Sequence, residues 1–244
     1  MLRRWLLTAV ALLSAAAAGA GLTMYWAATR VPDFYEEALA EQPSDPVERR
    51  EAARQMTEQT TRLVEEIQYS DAWSASFGQN QINSWLAENL GKPQYARHLP
   101  PGVSRPRVLI QQEIVHLGFR MQRKNFDGVV SLSVRPQLTA PNRLALEVVE
   151  IRAGLIPVPM EQISGPVSKQ LQKHGWTSSW QKHEGHDVLE IDLNRGNTEG
   201  QPVLEQIELE EGTIHLEGEG GTTMNSWKAA LSRLSHSNNG TIIR

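Results

Sequence analysis

The chain has 244 residues, 40% apolar, 21% charged and 6% aromatic, with a formal net charge of -4 and no cysteine. That length supports a substantial core without covalent staples. The lack of Cys excludes disulfide frameworks, thiolate metal centres and a cysteine nucleophile, and the near-neutral charge argues against a general nucleic-acid binder.

From Trp5 to Thr29 run 25 uncharged residues, rich in Ala and Leu. As a helix at about 1.5 Å per residue they extend about 37 Å, enough to cross a bilayer with some tilt. Arg3 and Arg4 precede the run, Tyr25 and Trp26 occupy the place of an interfacial belt, and Arg30 closes it. Retention of positive charge on the cytoplasmic side predicts a single-pass anchor in residues 1–30, contacting the bilayer through residues 5–29, with the N-terminus cytoplasmic and the bulk of the chain extracytoplasmic. The alternative is a cleaved signal peptide, since Ala16-Ala17-Ala18 and Ala18-Gly19-Ala20 offer small-residue cleavage sites.

Residues 31–45, with Pro32, Pro43 and several acids, read as a short stalk. Asp45-Pro46 then supplies an N-cap followed by proline at the first helical position, and Ala53, Met56, Thr60 and Ile67 recur at helical spacing. Alternation at Trp73, Ala75 and Phe77 predicts a short strand, broken by Gly78 before a second helix carrying Ile82, Trp85, Leu86 and Leu90. A proline-stiffened loop through Pro93, Pro100, Pro101, Gly102 and Pro106 follows.

Beyond it the period changes from 3.6 to 2, at Val108 and Ile110, Leu117 to Met121, Val130 to Val134, and Leu144 to Val148. This predicts an antiparallel meander with turns at Asn125, Asp127-Gly128 and Pro141-Asn142. A third helix is expected from Met160, Ile163, Val167 and Leu171, interrupted by Pro166, and further strands near Trp176–Trp180, Val188–Leu193, Val203–Leu209 and Thr213–Leu216. The expected class is therefore α+β: an N-terminal transmembrane helix, then one domain in residues 46–221 with a curved, mostly antiparallel sheet packed on two or three helices. Residues 222–244 read as an amphipathic helix, carrying Met224, Trp227, Leu231 and Leu234, and a polar tail.

An N-terminal span, an amphipathic helix, a strand leading into Gln81-Ile82-Asn83-Ser84-Trp85-Leu86, a meander, and Gly154-Leu155-Ile156-Pro157-Val158-Pro159 before a helix succeed one another over residues 1–175. In this order the chain resembles the YpmS-like extracytoplasmic proteins, a family of unassigned activity, and more loosely the tubular lipid-binding folds. The resemblance implies an exported domain with lipid binding as a fold-level analogy, and carries over no catalytic residues.

Ligand-type side chains are densest at His174, His183, Glu184, His186, Asp187 and Asp192. His183 and His186 are three apart around a turn, unlike the helical zincin spacing, and with His174 they form the alternative metal site of a hydrolase; solvated turn histidines are the commoner outcome. His116 has no sequence partner that raises it above a structural histidine. Serine-nucleophile, phosphate-loop and dinucleotide signatures are absent from the sequence, and no cofactor is expected.

Residues 97–152 carry a net +5 and residues 184–219 a net -10. If Arg105, Arg107, Arg120, Arg123, Arg135 and Arg143 share a face, that face suits anionic headgroups or another envelope protein; strand alternation places Arg105 and Arg107 together, opposite Val108 and Ile110. The expectation is thus a non-enzymatic, membrane-anchored envelope protein whose exported domain binds a lipid, another amphiphile or a membrane-associated partner. The rivals are a structural or assembly subunit and a metal-dependent hydrolase at the His174–Asp192 cluster.

Overall fold

The computed structural model describes residues 27–96, 99–124, 126–173, 175–194 and 201–221. Arg3, Arg4, Tyr25, Trp26, His174 and the C-terminal segment 222–244 lie outside these residues, as does most of the apolar run. Among the described residues no helix is long and apolar enough to cross a membrane.

Asp45 and Pro46 start the longest helix as their chemistry dictates. The Asp45 carboxylate accepts the Val47 N–H at 2.8 Å, and proline at the first helical position gives up an amide that has no intrahelical partner anyway. This helix, α2 (Pro46–Tyr69), follows a shorter α1 (Asp33–Ala40) and leads through β1 (Ala72–Gly78) into α3 (Gln79–Asn89) and the one-turn α4 (Pro93–Ala96). The meander is β2 (Val103–Gln111), β3 (Ile114–Arg123), β4 (Phe126–Ala140) and β5 (Arg143–Ala153), with a short β6 (Ile156–Pro157). A 3₁₀ turn and α5 (Ser164–Lys173) come next, then β7 (Thr177–His183), β8 (His186–Asp192), β9 (Val203–Glu210) and β10 (Thr213–Glu219). Pro166 occupies the first turn of α5, where a missing N–H costs no helical bond.

The class is α+β with antiparallel pairing throughout both sheets. The larger sheet runs β2-β3-β4-β5-β8-β7, with β6 on β5; the smaller runs β1-β10-β9. The strand of Trp73 and Phe77 therefore pairs with β10, 146 positions from Trp73 at its far end, rather than with the meander. The long helix has α3 and β1 as its principal neighbours, and Arg49 ties it to Glu88 of α3 at 2.5 Å.

Two expected features take another form. Residues 31–45 are packed rather than stalk-like, because α1 buries Tyr35 and Ala38 to 4% and 0% exposure against the large sheet. Asp127-Gly128 lies inside β4, not in the turn before it. A Cβ at Gly128 would come within 2.7 Å of the Ala28 carbonyl oxygen, and one at Gly154, whose φ is +59°, would come within 2.4 Å of the Ala27 and Ala28 oxygens. The Leu155 N–H donates to the Ala27 oxygen at 2.8 Å. The two glycines thus make room for the backbone that emerges from the apolar run.

β2 is the edge of the large sheet, and an open edge leaves a row of unpaired backbone groups. Here α3 closes it. The Val108 N–H donates to Asn83 Oδ1 and Asn83 Nδ2 donates to the Val108 oxygen, both at 2.8 Å. The Ile110 N–H donates to Gln79 Oε1 at 2.6 Å, and the Gly212 N–H to the Ile110 oxygen at 2.9 Å. Residues four apart on a helix rise about 6 Å and residues two apart on a strand about 6.7 Å, so Gln79 and Asn83 match Ile110 and Val108.

Candidate functional site

Arg105 and Pro106 interrupt the β2–β3 ladder, which resumes at Ser104 and Val103 opposite Arg120 and Met121. Pro106 has no N–H to give it, and proline within a sheet is confined to edges and bulges. The β2–β3 register shifts between Ser104 and Arg107, and Arg105 takes a φ of +48°, a strained value for a residue that bears a Cβ and precedes proline. The Tyr35 hydroxyl holds this bulge by donating to the Arg105 carbonyl at 2.6 Å.

The bulge separates two arginines that simple alternation would place together. Arg105 is exposed, whereas Arg107 is 7% exposed. The Arg107 guanidinium donates from Nη1 to the Pro106 carbonyl at 2.7 Å and from Nη2 to Gln42 Oε1 at 2.8 Å. Among the described residues it has no ion pair, and two buried donors at this point, Arg107 Nε and Gln42 Nε2, have no acceptor. Burial lowers the Arg107 pKa from its ordinary value, with the positive charges of Arg105 and Arg49 acting in the same direction against Tyr35; the guanidinium nevertheless stays protonated. Burial likewise raises the Tyr35 pKa, with Arg107, Arg105 and Arg120 opposing.

Beside these residues lies a groove of about 600 Å³, within the range of roughly 300–1,000 Å³ typical of small-molecule sites. Leu39 of α1, Leu86 of α3, Leu90 just past its end, Leu99, and the Pro100-Pro101 loop give it apolar walls, and Ser104, Arg105 and Arg107 add polar groups to the lining. A groove with apolar walls and a buried cation in its lining can hold an apolar body and an anionic head together.

A second cavity of about 460 Å³ lies on the same sheet beside Phe34, His116, Glu150 and Arg152. His116 Nε2 faces Gln111 Oε1 at 3.0 Å, and Nδ1 faces the Ser133 hydroxyl at 2.8 Å. Because an amide oxygen only accepts, Nε2 carries the proton and Nδ1 accepts from Ser133. Phe34 stacks on the ring with centroids 5.3 Å apart. Desolvation lowers the His116 pKa, with Glu150 and Glu37 opposing. Three acids face two arginines in its lining, and Arg152 is paired with Glu150, so this cavity does not favour an anion.

The remaining arginines do not complete a single basic face. Arg120 pairs with Asp127 at 2.9 Å and Arg135 with Glu147 at 2.8 Å. The unbroken β3–β4 register puts Arg120 and Arg123 on opposite faces, since they are three residues apart in one strand. Arg143 is exposed, opposite Asp192 on β8. His183 and His186 are exposed and close the β7–β8 hairpin, with His186 Nδ1 3.8 Å from Glu147. Among the described residues no three His, Asp or Glu are grouped to hold a metal.

Sequence reasoning identified Arg105 and Arg107 but missed Tyr35, Gln42 and the wall residue Leu39. Pro106 between the arginines was the available signal for the bulge. A comparison of the chain with family models, curated proteins and solved structures returns no match. The class defined by fold and site is that of an α+β domain with an amphipathic groove.

Proposed function

We propose that the chain is a single-pass, membrane-anchored envelope protein whose exported, non-enzymatic domain binds a lipid or other amphiphile in the groove between α1, α3 and β2. One observation carries this: a groove of about 600 Å³ with leucine and proline walls is lined by a buried arginine that has no acidic partner among the described residues. Each CH₂ moved from water into such walls contributes about 0.8 kcal/mol, so a chain of several methylenes offsets the cost of ordering the ligand. The apolar run at residues 5–29 supports a position beside a bilayer, where amphiphiles are concentrated. The packing of Ala27 and Ala28 on the large sheet leaves little free linker between that run and the domain.

Extraction of lipids from the purified full-length chain, followed by mass spectrometry, tests the proposal. An acyl compound is expected in near-stoichiometric amount, and Leu90→Trp, which fills the groove, is expected to remove it without lowering the melting temperature by more than a few degrees. Recovery of no acyl ligand above the bulk membrane lipids, or equal recovery from Leu90→Trp, rejects it.

A further inference from the structure

An uncompensated buried cation is costly, and native proteins pair such groups or neutralise them with a ligand. In the polar part of the groove lining the supply of donors exceeds that of acceptors. Arg107 is 7% exposed, Arg105 stands exposed, and Arg107 Nε and Gln42 Nε2 are both buried without an acceptor among the described residues. Among the described residues Arg107 makes no ion pair; Tyr35, Arg105 and Arg49 act on its charge, and Arg49 is engaged by Glu88. The His116 cavity differs, since its Arg152 is matched by Glu150.

The strain at Arg105 points the same way. A residue before proline is held at φ +48°, and the Tyr35 hydroxyl, 70 positions earlier, clamps its carbonyl. Such strain persists only where the surroundings over-determine it, and it concentrates at binding sites. Its effect here is to leave Arg105 exposed and Arg107 buried along one groove, two like charges that act on each other and that an anion relieves.

We propose that the groove selects amphiphiles ending in an oxyanion, a carboxylate or a phosphate monoester, with the exposed Arg105 meeting the head, the buried Arg107 supplying fixed positive charge and Gln42 orienting the Arg107 guanidinium. This rests on the amphiphile binding proposed above and adds its headgroup chemistry. Guanidinium groups present a planar fork of donors that matches both oxyanions, and charge-assisted bonds of this kind are about twice as strong as neutral ones. A neutral alcohol or ester head leaves the cation uncompensated and is disfavoured.

The test uses the full-length chain in phosphatidylcholine nanodiscs and three photoreactive probes with the same acyl chain: a fatty acid, its fatty alcohol and a lysophosphatidic acid. Labelling of groove peptides containing Leu86, Leu90 and Leu99 is read by mass spectrometry. At least one anionic probe is expected to label tenfold or more above the alcohol, and the difference between the acid and the phosphate tells which head is taken. Arg107→Leu is expected to bring anionic labelling down to the alcohol level while alcohol labelling is unchanged, Arg107→Lys to keep part of the preference, and Arg105→Ala to weaken it several-fold. Equal labelling by all three probes in the wild type overturns the headgroup proposal and leaves amphiphile binding intact. An anionic preference that survives both Arg107→Leu and Arg105→Ala overturns the assignment to these residues. No groove labelling by any probe rejects both proposals. If Arg107→Leu also loses the alcohol signal through misfolding, the exposed Arg105→Ala variant decides.

Discussion

The amide of Asn83, with that of Gln79, stands in for the strand that β2 lacks on its open side. The Asn83 side chain closes a two-bond ring with the Val108 backbone, and Asn83 is only 1% exposed. Asn83→Ala strands a buried N–H and a buried C=O, each costing about 1–3 kcal/mol. A loss of about 3 kcal/mol is therefore expected in denaturant unfolding, whereas Asn80→Ala, at an exposed position of the same helix, should cost less than about 1 kcal/mol. A loss under about 1 kcal/mol for Asn83→Ala would show that water replaces the amide. The sequence displays Asn83 within Gln81-Ile82-Asn83-Ser84-Trp85-Leu86 but not its task, since a polar side chain on a short helix is ordinarily solvated. Only docking of α3 on a strand twenty-five positions away gives it buried partners. Arg107 presents the same difficulty in reverse: its charge suggested a surface, while the Pro106 bulge and the α1 helix cover it.

At the scale of elements, the parts legible from local pattern are those whose signals lie within the element. α2 begins where Asp45 and Pro46 require it, and the meander strands follow the period-2 runs of Val108, Leu117, Val130 and Leu144. α1 was illegible because Pro32, Pro43 and its acids resemble a spacer, and its eight residues offer too short a window for periodicity to register. Its burial is decided by the sheet beneath it, where Phe34 lies on His116. That contact carries a pH dependence. Desolvation lowers the His116 pKa below its ordinary value of 6.5, so the unfolded chain binds this proton more readily than the folded one. The contribution is complete above pH 6.5 and is lost as pH falls through the folded-state value. Asp33, Glu37 and Glu150 line the cavity with Arg30 and Arg152, and Glu150 and Glu37 oppose the desolvation of the imidazolium. The melting temperature is expected to fall from pH 7 to pH 5 in wild type and to change less in His116→Gln; parallel curves for the two would remove His116 from the account.

For the whole molecule, part of the two-sided charge of the sequence is met by local pairs. Arg120 and Arg135 are answered by acids on neighbouring strands, as cross-strand pairing favours, whereas Arg107 is buried beside the groove without an ion pair among the described residues. If the proposed topology holds, protease added to cells with a permeabilised outer envelope and a sealed inner membrane is expected to remove a C-terminal tag. Protection of that tag until the inner membrane is lysed would place the domain in the cytosol and end the envelope proposal.

What the sequence determined by itself is the class of fold, the succession of helices and meander strands, and the presence of an uncharged N-terminal run, because each is encoded by capping residues and periodicities acting over ten to twenty-five positions. The tertiary structure alone decided that β1 joins β10, that Asn83 and Gln79 seal the β2 edge, that α1 lies on the sheet, and that Arg107 is buried with unsatisfied donors. These depend on contacts between residues 25 to 146 positions apart, for which burial, exclusion of water and the register of distant strands must be known together, and no local pattern carries that information.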